Sequence, residues 1–508
     1  MNHPNRSHRS LLAALLAISL VWPAAHAAAQ EQDPAVDSAV YLLRSAMTPD
    51  RQGAYNQLIR ALRQLQDPQI KPLYEAMSVS DNPILKIHGI LGLAECTPDR
   101  KLNLALVAEI KDSRIQQELL SSALDSELLD VTSAKQMLGW EGLEIDSKLI
   151  VAIHLLSKGE FKDVALVKKA LEGDFPMRKA VAGLLLTELG DPAGPAQLKA
   201  VNDIPGAARD QVRALMLQTI FRFKMDKCAE WASSVAADAS TDEKVMLLAL
   251  RTAMRFGSKS AVVTWKQKFA ASTDAADRIR LGLSVLNMSE WLSPDLFAPM
   301  IDSSDGLMKA MGEAGKAVAS KSGVGPALVK LLTHGHPLAN TWALAYAHQY
   351  ADEADRQHIL RAAFDAYAGA DEQSKSRRLD EAVTALQLLY DKDTKVAEEL
   401  IKTILNNPDD HKSLLQGTLF ALVRATKGEP HKLVANIDKP FIDHRANSLK
   451  LFLLAKNDQP LNPAQLKELS LLVRGGGGVP DTIRIQAAWA YLKVTKQTQV
   501  AITKATAR

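Results

Sequence analysis

The chain has 508 residues, with 61 Lys and Arg against 58 Asp and Glu, and only two cysteines. A formal charge of +3 makes no global field to gather nucleic acid, and two cysteines make no disulfide framework. Abundant Ala and Leu with 5% aromatics favour closely packed helices over sheets.

Residues 1–29 read as an address rather than a structure. Arg6 and Arg9 precede an apolar run from Leu11 to Trp22, and the small residues Ala25, Ala27, Ala28 and Ala29 follow. This is the pattern of a secretory signal peptide cut after Ala27 or Ala29. The run is too short to span a bilayer and no Cys follows it, so the expected product is exported, periplasmic or extracellular, without a transmembrane segment or lipid anchor. Losing the two leader arginines leaves a balance of about +1.

No long Pro/Ser linker divides residues 30–508, and the same local pattern returns along them. It is plainest from Asp163 to Asp191. Val164, Val167, Ala170 and Leu171 give one apolar stripe, predicting a helix from Asp163 to Gly173. Gly173 and Asp174 end it, and Pro176 opens a second helix, since its missing N–H costs nothing in a first turn. Met177, Ala180, Val181, Leu184, Leu185 and Leu189 follow the same period there, while Ala182, Gly183 and Leu186 make the helix apolar on several sides. A helix of that kind belongs between neighbours.

The unit resembles a HEAT repeat on Asp174, Pro176, Met177, Arg178, Val181 and Ala182, with Leu189, Gly190 and Asp191 as its close. The position of Arg178 recurs upstream at Gly53, Lys86, Gln116 and Lys148. Downstream it recurs at Arg213, Met246, Arg280, Lys309, Asn340, Arg378, Lys412, Arg445 and Arg484. Steps of about 30–35 residues, two of them near 39, are those of a helix-pair solenoid. The expected fold is all-α, an α-solenoid of about fourteen stacked helix pairs in which each pair covers only its neighbours and no compact centre forms. The tetratricopeptide repeat competes, most of all over Asp355 to Leu389.

The resemblance implies a ladder in which a turn Asp and the following basic residue bond along the array. The candidates are Asp81 with Lys86, Asp174 with Arg178, Asp210 with Arg213 and Asp481 with Arg484. Gln116, Met246 and Asn340 break the pattern, and their units are expected to stack less regularly.

Further along, Asp302 to Gly325 carries Gly306, Gly312 and Gly315 inside a helix. It is either a hinge or a place of close helix approach. His334 and His336 flank Gly335 in a turn, with His348 and His358 nearby, but two imidazoles fall short of a metal site. Asn406 to His411 reads as a capping turn in which Asn407, Asp409 and Asp410 precede the helix at Lys412, not as a calcium loop. Gly475 to Gly478 lacks the strand and Lys-Ser/Thr of a phosphate loop and reads as a flexible connector. Lys375, Arg377 and Arg378 beside Asp380 and Glu381 read as a solvated face. Cys96 and Cys228 lie about four units apart, too far to bridge, and are expected as unpaired, mostly buried thiols.

No nucleophile elbow, HExxH, paired CxxC or dinucleotide fingerprint occurs. The reading is therefore a non-catalytic scaffold or adaptor that binds a protein partner, with no catalytic, cofactor or metal residue assigned and its binding residues unknown. The resemblance implies a concave face made by the second helices as the binding surface. Two other classes stay open: an enzyme like the helical-repeat lyases that attach chromophores, which would need a reactive Cys or acid, and a self-associating structural protein of the cell envelope.

Overall fold

Several helices begin at a capping side chain and end where the backbone turns, and successive helices pack against each other in pairs. The computed structural model describes residues 33–48, 54–408, 412–425, 428–437, 439–475 and 478–507; residues 1–29, read above as a signal peptide, and Gly53 lie outside them. Among the described residues there are helices and turns and no strand. First helices carry odd numbers here and second helices even ones. The chain opens with α1 (Pro34–Met47) and α2 (Ala54–Arg63), α3 (Lys71–Ser78) and α4 (Pro83–Glu95), and α5 (Leu104–Ala108) and α6 (Ser113–Asp125). Next come α7 (Val131–Leu138) and α8 (Ile145–Ser157), α9 (Val164–Lys169) and α10 (Pro176–Leu189), and α11 (Ala193–Ala200) and α12 (Ala207–Phe223). They are followed by α13 (Ala229–Ala237) and α14 (Glu243–Arg255), α15 (Lys259–Ala271) and α16 (Ala275–Leu286), and α17 (Ala298–Ile301) and α18 (Gly306–Ser320). Then come α19 (Val324–Leu332) and α20 (Pro337–Tyr350), α21 (Glu353–Ala368) and α22 (Glu372–Lys392), and α23 (Thr394–Asn406) and α24 (Lys412–Arg424). The last are α25 (His431–Ala435) and α26 (His444–Lys456), α27 (Pro463–Val473) and α28 (Asp481–Val494), and a single α29 (Thr498–Thr506).

The boundaries follow from local chemistry. Asn82 accepts from the backbone N–H of Ile84 and Leu85 ahead of Pro83, and Asp163, Asp242, Asp305 and Asp352 cap their helices in the same way. Gly190 takes the left-handed conformation at φ 80° that closes α10. The predicted helix from Asp163 to Gly173 is shorter than expected, because Ala170, Leu171 and Glu172 each bond three residues back and tighten the chain out of α-helix after Lys169.

The chain forms two compact units. Unit 2, residues 66–454, is a helical-repeat stack. From α4 to α24 each even-numbered helix touches the next, and α8 also reaches α12, as α16 reaches α20. Gly312 and Gly315 provide close approach, since a Cβ on Gly315 would fall 2.2 Å from the Phe297 ring and one on Gly312 2.8 Å from the Ile301 nitrogen. At Gln116 and Met246, α6 and α14 touch both even-numbered neighbours, as α20 with Asn340 touches α18 and α22. Gln116 replaces the basic residue with an amide that donates to Ile110 O at 3.1 Å.

Unit 1 departs from the single-file expectation. It joins the described residues up to 65 with those from 455 onward, so that α1 packs on α27, α28 and α29, and α2 packs on α28. Arg44 donates through Nε and Nη2 to Lys504 O at 3.1 and 2.7 Å, Gln486 donates to Ala61 O at 2.9 Å, and the Tyr491 hydroxyl donates to Asp33 at 2.5 Å. The physical reason is that the first and last repeats of any array have an apolar face with no successor to cover it. Here Leu42, Leu43, Ile59 and Leu62 from one end share a core with Leu469, Ile485, Trp489 and Leu492 from the other.

Candidate functional site

The ladder is real in part and differs in detail from the expectation. Arg178 Nε and Nη2 reach back to both carboxylate oxygens of Asp146 on α8 at 2.6 and 2.8 Å, while Asp174 stands open and meets Lys179 at 3.4 Å. Arg280 reaches back to Glu243 on α14 at 2.9 Å. Arg213 is fully enclosed and reaches forward to Asp238 and Thr241 at 2.7 and 2.9 Å, as well as to Asn202 at 2.6 Å and toward Asp210 at 3.6 Å. Asp481 pairs with Arg484 at 2.6 Å. Asp81 and Lys86 form no ion pair among the described residues. At Asn340 the side-chain amide donates to Glu381 at 3.0 Å.

The marked turns have local roles. His336 Nδ1 accepts from Ala339 N–H at 3.4 Å and caps α20, while His348 bonds Asp391 at 3.0 Å. Among the described residues no three His, Cys, Asp or Glu gather as a metal cluster. Asn407 turns its amide back to Thr403 O; Asp409, Asp410, His411, Gly476 and Gly477 lie outside the described residues. Cys96 and Cys228 are free thiols. Burial pushes Cys96 up to about 11 and raises Cys228 further, so neither is a ready thiolate.

Arg445 differs from its ladder counterparts. Among the described residues it carries no ion pair and its buried Nε has no hydrogen-bond partner, and it lies 5.0 Å from the Phe420 ring centre. It lines a cleft of about 290 Å³ with Phe420, Gln416 and Gln387.

The strongest cluster of unpaired chemistry sits where the C-terminal ends of α12, α14 and α20 meet the turn after α16. Arg251 and Arg255 are four residues apart on α14 and therefore share a face. Their guanidinium carbons lie 5.6 and 4.1 Å from the centre of the Phe221 ring of α12. Arg255 also lies 4.4 Å from Trp291, which meets Phe221 edge-on at 6.3 Å. The turn holding Glu290 and Trp291 is pinned by Ser289, whose hydroxyl donates to Leu286 O at 2.8 Å.

From α20, Trp342, Tyr346 and Tyr350 form a stripe one turn apart, with ring centres 4.4 and 5.2 Å apart. Gln349 donates to the Tyr350 oxygen at 2.7 Å and to Glu290 at 3.4 Å. Arg222, at the end of α12, pairs with Asp125 at the end of α6 and ties in a further repeat.

Arg255 has a structural task, donating to Phe221 O at 3.0 Å where a helix end leaves carbonyls unsatisfied. Arg251 has none: it forms no ion pair, and its Nε is buried without a hydrogen bond among the described residues. Burial lowers the proton affinity of both guanidiniums, raises Glu290 against the pull of Arg255, and pushes Tyr346 up to about 12 with help from Glu290. Two guanidiniums against one carboxylate leave a net positive charge among aromatic faces, and Trp291 keeps 44% of its surface open. Such a patch can hold an anionic group and cover it with apolar surface.

Sequence reading missed this cluster, because its members come from four different repeats. One signal was present: Arg222–Phe223 and Arg255–Phe256 place the same dipeptide at the close of successive second helices, each guanidinium lying against the following ring. No known family model, curated protein or solved structure matches the chain.

Proposed function

We propose that the protein is an exported, non-catalytic scaffold whose second helices, as the HEAT resemblance implies, form a concave face that binds another protein. The observation that carries this reading is the Arg251–Arg255 cluster, a desolvated cationic and aromatic patch on that helix layer with an unpaired guanidinium and an open Trp291. Trp, Tyr and Arg are the side chains that dominate protein interfaces. The touching of α8 with α12, and of α16 with α20, supports tighter curvature on the even-numbered layer. The raised thiols weaken the case for a lyase acting through Cys96 or Cys228.

Affinity capture from the exported fraction tests this with the mature chain and its Trp291→Ala form. A stoichiometric protein retained by the first and lost by the second is expected. Equal recovery by both, or recovery of nothing, counts against the reading.

A further inference from the structure

We propose that the Arg251–Arg255 cluster receives a carboxylate of an acidic peptide segment, with Trp291 and Phe221 flanking it. This rests on the scaffold reading and names the chemistry of its partner.

Three observations select an acid. The cluster holds two guanidiniums and one carboxylate, so it lacks one negative charge. Elsewhere in unit 2 Arg178 pairs with Asp146 and Arg280 with Glu243, whereas Arg251 has no carboxylate partner among the described residues. Its buried Nε has lost water without gaining an acceptor among the described residues, which costs free energy and leaves the guanidinium uncompensated. A basic segment is the poorer fit, because the carboxylate of Glu290 already feels the charge of Arg255, and that same guanidinium lies over the Trp291 ring.

A peptide is favoured over a small free acid by the surroundings. Trp291 at 44% exposure is a surface on which neighbouring side chains can lie, and a small dicarboxylate has no area to use it. Arg251 also makes a clean test, since it holds no carboxylate and its removal orphans none.

The probe is a short fluorescent peptide alternating Glu with Leu and Tyr, titrated by anisotropy against the mature chain. Its Gln-for-Glu twin, a Lys-for-Glu twin and succinate serve as comparisons. The acidic peptide is expected to bind at least about tenfold more tightly than the Gln twin, or about 1.4 kcal/mol, and to weaken with salt. Arg251→Gln lowers its affinity by about tenfold without lowering the thermal midpoint. Glu290→Gln raises the affinity, because it removes the one competing carboxylate.

Equal binding of the acidic and Gln peptides, or indifference to Arg251→Gln, overturns the proposal. So does preference for the Lys peptide with loss on Glu290→Gln. Displacement by succinate as efficiently as by peptide assigns the site to a small acid and rejects the peptide. If the Trp291→Ala chain loses its captured partner while acidic peptides fail to bind, the scaffold stands and this inference alone falls.

Discussion

Arg213 has no exposed surface, yet it carries a full charge between Asn202, Asp238 and Thr241. Replacing it with Ala removes the charge and leaves those polar groups without their common partner. The expected loss is about 3–5 kcal/mol in a urea titration. A loss below about 1 kcal/mol, the range of surface pairs, would place it among them. Asp393 accepts both Arg356 Nε and Nη2, at 2.7 and 2.8 Å, and that pairing holds its carboxyl below the usual range. Asp238 is held low first by Ser240 and then by Arg213. A carboxyl depressed in the fold stabilises it fully above the unfolded value of about 3.9 and loses that contribution as pH falls through the folded value. These two carboxyls should therefore pull the urea midpoint down below about pH 4. Arg356→Gln should make that acid slope shallower, and an unchanged slope would remove Arg356 as its source.

Among the elements, α3 and α4 show how closely one hairpin closes. A Cβ on Gly89 would stand 2.3 Å from the Ser78 backbone nitrogen, which cannot rotate away. Gly89→Ala is therefore expected to cost about 1–3 kcal/mol despite the better helix propensity of Ala. Asn82→Ala, which deletes the two hydrogen bonds at the start of α4, should cost about 1 kcal/mol. A more stable Gly89→Ala chain would mean that the hairpin can spread. Elements such as these were legible in the sequence. Pro83, Pro176, Gly190 and the three-and-four spacing around Leu184 are local signals, and local signals set where a helix starts, stops and turns its apolar side. The partner of Arg178 was not legible, since Asp146 lies 32 positions back and competes with the nearer Asp174. The meeting of Phe221, Arg255, Trp291 and Tyr346 was hidden for the same reason, as it depends on how far successive second helices lean toward one another.

At the scale of the molecule, the repeat pattern gave no sign that both ends of the chain build one unit. Nothing in α1 or α29 departs from an ordinary apolar stripe, and a stripe does not name the surface that will cover it. Deleting residues 498–507 strips part of the cover from α1 and frees Arg44 and Asp37 from Lys504. Limited proteolysis should then cut first within residues 33–63, with the α4–α24 stack surviving longer. First cleavage inside that stack would show that α29 is dispensable to unit 1.

The pairing of Arg44 with Lys504 spans 460 positions of chain. The helices α1 and α2 are thus made long before α27 to α29, and their apolar faces lack that cover until those later helices have emerged. Under the export proposed above, that delay is an advantage, because helices that cannot close early remain fit for threading.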